Sequence, residues 1–135
     1  MVLPEKSEET RPTVLVVDDD AQTLSALQRA LRSDTYALLA TDDPFVALEW
    51  VKSGEIGLVI ADEFMPAMLG TELLWAVRIA SPNTATVLLT GHPQPAVMFR
   101  GFQRRVDLIL AKPWEDRALR ESTLRLLEER APRGH

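Results

Sequence analysis

The chain has 135 residues, 46% apolar and 26% charged, ordinary usage for one globular domain with a core of its own. Its net charge of -5 and isoelectric point near 5.0 argue against a nucleic-acid surface, because duplex binding rests on Lys and Arg neutralising phosphates. There is no cysteine, which removes disulfides and thiolate metal sites; no signal-peptide core or membrane-length apolar run is found, so a cytoplasmic location is expected.

Residues 1–12, polar and punctuated by Pro4, Glu5, Lys6, Ser7, Glu8 and Glu9, are expected to form a disordered leader, and 131–135 a short tail. Thr13 to Val17 is a β-branched and aliphatic run that stops at three acids, Asp18, Asp19 and Asp20, and reads as a first strand and its exit loop. Leu24, Leu27, Ala30 and Leu31 then recur at helical spacing from Ala21 to Ser33, with Asp20 placed as a helix cap. Tyr36 to Thr41 is a second strand. Thr41-Asp42-Asp43-Pro44 opens a second helix through Phe45, Val46, Leu48, Trp50 and Val51, stopped at Ser53-Gly54. Leu58-Val-Ile-Ala61 runs into Asp62 as a strand covered on both faces. Leu73, Leu74 and Val77 mark a third helix ending before Ser81-Pro82-Asn83, and Thr84 to Thr90 is a fourth strand running into Gly91-His92-Pro93.

From Gln94 to Arg105, Pro93, Pro95 and Gly101 weaken the helical pattern, so a short, irregular or mobile fourth helix is expected. Most of its Val97, Met98, Phe99 and Phe102 are expected in the core. The remainder, flanked by Arg100, Arg104 and Arg105, would form a partner or dimer surface. Val106 to Leu110 is a fifth strand, Ala111-Lys112-Pro113-Trp114 its exit, and Glu115 to Arg130 the last helix. Strict βα alternation requires a parallel sheet with right-handed crossovers and helices on both faces. Flavodoxin-like, Rossmann and several hydrolase folds share that pattern, so function has to come from the strand ends.

Four strand ends carry groups suited to a phosphoryl group: Asp18-Asp19, Asp62, Thr90 and Lys112. Adjacent strands lie about 4.8 Å apart, so carboxylates on neighbouring strands repel unless a cation sits between them. An all-oxygen set with few donors suits Mg²⁺. Lys112, one of three lysines against twelve arginines, supplies a point charge for Asp62 or a phosphoryl oxygen, and Thr90 a hydroxyl donor.

Val-Leu-Val-Val-Asp-Asp, Asp-x-x-Met-Pro-x-Met-x-Gly from Asp62 to Gly70, Leu-Leu-Thr-Gly from Leu88 to Gly91, and Ala-Lys-Pro-Trp from Ala111 to Trp114, each at a strand end, resemble the receiver domains of two-component response regulators. The likeness runs from about Thr13 to Arg130. It implies an α/β, flavodoxin-like doubly wound (βα)5 fold with a five-stranded parallel sheet in order 2-1-3-4-5. It also implies that Asp62 is the phosphoacceptor, taking a phosphoryl group from a sensor histidine kinase or phosphotransfer protein. Asp19 would ligate Mg²⁺ directly and Asp18 through water, with Asp62 and the backbone carbonyl of Phe64 completing the protein share. Lys112 and Thr90 would bind the phosphoryl group, a cis bond would precede Pro113, and Met65 and Gly70 would serve packing and the loop. Output would pass to a downstream protein or a second copy through helix four, strand five and helix five.

This chain departs from the family pattern at Ile109, where many receivers carry an aromatic switch residue, so output is expected to depend on helix four itself. Phe64 and His92 are expected to flank the phosphoryl group and tune its lifetime, Phe64 by obstructing water and His92 by orienting it. A phosphorylation-independent interaction module is the alternative, although its signature would be a missing acid, threonine or lysine. An aspartyl-phosphate phosphohydrolase usually has a second acid where Phe64 stands. A flavin site lacks its phosphate loop, since three acids follow strand one.

Overall fold

The computed structural model describes residues 11–130; most of the expected leader and all of the expected tail lie outside them. Ten elements alternate along the chain: β1 (Thr13–Val17), α1 (Ala21–Leu31), β2 (Ala37–Thr41), α2 (Pro44–Lys52), β3 (Ile56–Ala61), α3 (Gly70–Ala80), β4 (Ala85–Thr90), α4 (Pro95–Gln103), β5 (Leu108–Ala111) and α5 (Asp116–Arg130). The strands form one sheet in the order β2-β1-β3-β4-β5, with every neighbouring pair parallel. This is the flavodoxin-like arrangement that the sequence led us to expect. Pro12 joins the sheet margin, its carbonyl accepting from the Ala37 amide at 2.9 Å.

Successive residues of the buried strands face opposite sides of the sheet, and this period of two divides the core. Val14, Val16, Leu58, Ile60, Val87 and Leu89 pack with Leu27 and Leu31 of α1 and Leu119 of α5. Leu15, Val17, Val59 and Leu88 pack on the other side with Ala47 and Val51 of α2, Leu73, Leu74 and Val77 of α3, and Val97 of α4. Helix starts follow local chemistry. The Asp20 carboxylate accepts from the Thr23 amide at 3.0 Å and Asp43 from that of Phe45 at 2.8 Å, with Pro44 opening α2.

Helix α4 is short, as expected, with nine residues, and Pro95 occupies its first turn, where its missing amide costs nothing. One expectation is corrected there. Of its apolar residues only Val97 is in the core; Met98, Phe99 and Phe102 are 43%, 60% and 81% exposed. Val97 and Gly101, four apart, form the buried stripe, and 100° per residue turns the other three outward. The helix ends in a Schellman arrangement, with the Val106 amide donating to the Gly101 carbonyl and that of Arg105 to Phe102. Arg105, not glycine, takes the left-handed position, at φ 58°. β5 therefore begins two residues later than expected, after the Asp107 carboxylate has accepted from the Thr86 amide at 2.8 Å.

Candidate phosphoacceptor site

The register sets the site. Val17 pairs with Ala61 across β1 and β3, so the next residues, Asp18 and Asp62, emerge side by side at the carboxyl edge of the sheet, where open α/β folds bind their ligands. Backbone bonds hold both exits, the Asp62 amide donating to the Val17 carbonyl at 3.2 Å and the Asp18 amide to Thr41 at 3.3 Å. Two strands along, Thr90 pairs with Ala111, and the Lys112 amide donates to the Thr90 carbonyl at 2.8 Å.

Lys112 Nζ sits between two acids, 2.9 Å from Asp18 Oδ2 and 3.3 Å from Asp62 Oδ1. The sequence suggested Asp62 or a phosphoryl oxygen as its partner; the shorter contact is to Asp18. Asp18 is buried, and its other oxygen accepts from the Asp20 amide at 2.9 Å. Asp19 is exposed. Burial pushes the Asp62 carboxyl above its ordinary value; the Lys112 charge lowers it and the Asp18 charge adds to the rise. Burial pulls the Lys112 ammonium down, but its hydrogen bond to Asp18 and the two negative charges outweigh that, leaving it above its usual range.

Each of Asp18, Asp19 and Asp62 offers a carboxylate oxygen, all within 4.8 Å of one another. Ligands of an octahedral ion at about 2.1 Å lie roughly 3.0 Å apart when adjacent and 4.2 Å when opposite. The oxygens are of the right hardness for Mg²⁺, and because their 4.8 Å limit exceeds the span of about 4.2 Å, sharing one ion would take a small inward movement or an intervening water.

Thr90 is fully buried, and its hydroxyl accepts from the His92 amide at 3.0 Å. His92 lies edge-on to Phe64, with ring centroids 5.3 Å apart and planes at 83°. Phe64 is half exposed and pairs in an antiparallel bridge with Leu69. Met65 is buried, whereas Ile109 packs partly exposed against the core beneath α4. The Lys112–Pro113 peptide is cis. Gly70 has a strict steric reason: a Cβ there would lie 2.0 Å from the Asp62 carbonyl oxygen, so the loop after β3 closes only around glycine.

Sequence reasoning missed Glu63. Its side chain is 0% exposed; Oε1 accepts from the Thr71 amide at 2.8 Å, and Oε2 accepts from Thr71 Oγ1 at 3.0 Å and from Arg100 Nε at 2.7 Å. The available signal was a second acid, next to Asp62, just past the end of a buried strand. Its partner Arg100, 37 residues away, read only as a surface charge.

A family model described as the response regulator receiver domain matches residues 14–124. The chain is 28% identical over 126 residues to histidine kinase P4 of Formosa agariphila, covering 92% of this chain and 9% of that protein. It is 28% identical over 119 residues to the C4-dicarboxylate transport transcriptional regulatory protein DctD of Rhizobium meliloti, covering 88% of this chain and 26% of that protein. The chain thus spans a minor part of both relatives. The signal receiver domain of an HD domain-containing protein from Pseudomonas fluorescens Pf-5 superimposes with a TM-score of 0.84 at 31% identity, over 96% of this chain and 93% of that one. With the sheet order, the acid-and-lysine strand edge and these matches in hand, the chain belongs to the response regulator receiver domain family.

Proposed function

We propose that this receiver domain accepts a phosphoryl group on Asp62 from a phosphohistidine of a sensor histidine kinase or phosphotransfer protein, with Mg²⁺, and thereby switches a protein-binding surface in phosphorelay signalling in the cytoplasm. The observation that carries this reading is the set of three carboxylates within 4.8 Å with Lys112 seated between Asp18 and Asp62.

An Asp62 oxygen attacks the phosphorus in line, the O–P bond forms as the P–N bond breaks, and the electron pair leaves with the imidazole of the donor. Asp18, Asp19, Asp62 and the Phe64 carbonyl would hold the metal, which when bound neutralises charge on the phosphoryl oxygens. Lys112 pairs with a phosphoryl oxygen and Thr90 donates its hydroxyl hydrogen to another, which is compatible with the bond its oxygen accepts from the His92 amide. Phe64 and His92 set the lifetime of the acyl phosphate; unchanged dephosphorylation rates in Phe64→Asn and His92→Ala would overturn that assignment. Added charge of about -1.5 to -2 then shifts the population of states at α4, β5 and α5, where Met98, Phe99 and Phe102 offer an exposed apolar face to a downstream protein or a second copy.

The test is intact mass after incubation with Mg²⁺ and a small acyl-phosphate donor, beside Asp62→Asn and a metal-free control. A single phosphoryl adduct that needs both Mg²⁺ and Asp62 supports the reading. No adduct on a folded chain refutes it and favours an interaction module that works without phosphorylation.

A further inference from the structure

Helix α4 does more than present an outer face. From its inner flank Arg100 reaches back to the loop after β3, where its Nε donates to Glu63 Oε2 at 2.7 Å while its guanidinium lies 5.9 Å from the centroid of the Phe64 ring. Glu63 is itself fixed, fully buried and held at both oxygens by Thr71 at the start of α3. Phe64 in turn stands edge-on to His92. A fixed carboxylate thus orients a guanidinium, the guanidinium bears on an aromatic ring, and that ring sits two residues from Asp62.

We propose that Arg100, anchored by Glu63, is a positioning residue that holds the Phe64 ring at the mouth of the Asp62 pocket, so that the lifetime of the phosphoryl group is set from α4. This rests on Asp62 being the phosphoacceptor. A planar guanidinium suits the task, because it can bond to a carboxylate in its own plane while bearing on a ring, which an ammonium cannot reproduce. The arrangement also makes phosphoryl lifetime sensitive to whatever moves α4, including a protein seated on Met98, Phe99 and Phe102.

The experiment follows loss of the phosphoryl adduct by intact mass after removal of the acyl-phosphate donor, in wild type, Arg100→Ala and the double variant Glu63→Gln/Arg100→Gln. The double variant leaves no buried charge unpaired, so it decides the matter if Arg100→Ala fails to fold. Each is expected to lose the phosphoryl group about two- to fivefold faster, the rate equivalent of an exposed cation–π contact. In a Phe64→Ala background neither change is expected to accelerate the loss further. That silence distinguishes positioning of Phe64 from a general loosening of the fold. An unchanged lifetime in the folded double variant, or the same acceleration in the absence of the Phe64 ring, overturns the inference while leaving Asp62 as phosphoacceptor. A wild-type chain that takes no adduct at all overturns both.

Discussion

Glu63 offers a test of the site's framework that needs no phosphoryl chemistry. Replacing it with alanine strips acceptors from the Thr71 amide and hydroxyl and from Arg100, and opens a void at a residue with no exposed surface. An orphaned buried amide costs about 1–3 kcal/mol, and a lost charged hydrogen bond about 1.5–3 kcal/mol. Arg100 is one-third exposed and recovers part of its solvation, so the net for Glu63→Ala is about 3–4 kcal/mol. Glu63→Gln keeps the volume and the acceptor for the Thr71 amide but turns a donor toward Arg100, and is expected to cost about 1–2 kcal/mol. In urea, with a slope of about 1.5–2 kcal/mol/M, the alanine midpoint falls by roughly 2 M at unchanged slope. A Glu63→Ala cost below about 1 kcal/mol would refute the reasoning, because it would show the buried network contributes less than one of its bonds.

Three further outcomes follow from the geometry. The Asp62 carboxyl titrates above its ordinary value in the fold; its stabilising contribution is complete below the unfolded value and is lost as pH rises through the folded one. Metal-free Asp62→Asn should therefore be more stable than wild type near neutral pH, read as a higher Tm, with the gap closing as the pH falls to the ordinary carboxylate range; a lower Tm at neutral pH would contradict it. Gly101→Ala would place a Cβ 2.6 Å from Ile109 Cδ1 and should cost about 1 kcal/mol. In an Ile109→Val background, which removes that carbon, the same change should instead gain up to about 1 kcal/mol from helix propensity, as a double-mutant cycle would read. Arg105→Gly should stabilise the domain by about 0.5–1 kcal/mol, measured by urea unfolding, since Arg105 holds a left-handed backbone that glycine adopts without strain.

What was legible in the sequence was what short-range pattern controls. The apolar runs ending in Asp18, Asp62 and Thr90 located the strands and the edge that gathers these residues, because a strand buried on both faces leaves its chemistry only at its ends. Asp20 and Asp43 announced their helices because capping is decided within a few residues. Long-range pairing was not legible in the same way. Nothing near Glu63 indicates that its partner lies on α4, and nothing near Lys112 indicates that Asp18 is nearer than Asp62. At α4 the count of apolar residues was read as core, whereas their angular distribution leaves one buried and three outside.

That distribution bears on how the domain signals. A helix that buries only Val97, with Gly101 pressed against Ile109, has little apolar area anchoring it, and such elements sit at the low-stability end of a fold. Among its polar tethers are Arg104, capping the helix, whose guanidinium lies 5.8 Å from the Trp75 ring centroid, and Arg100, which reaches Glu63, the residue directly after Asp62. In receivers with an aromatic at the position of Ile109, that side chain links threonine movement to the output face; isoleucine has no ring to swing. Here the backbone that carries Asp62 also carries Glu63 and Phe64, and both reach Arg100. A covalent charge biases only those states it contacts differently. A chain of contacts from Asp62 to this weakly anchored helix runs through Glu63 and Arg100, beside the direct contact of Asp62 with Lys112 at the end of β5, so the proposed phosphorylation of Asp62 is expected to change how α4 is held as well as the exit of β5.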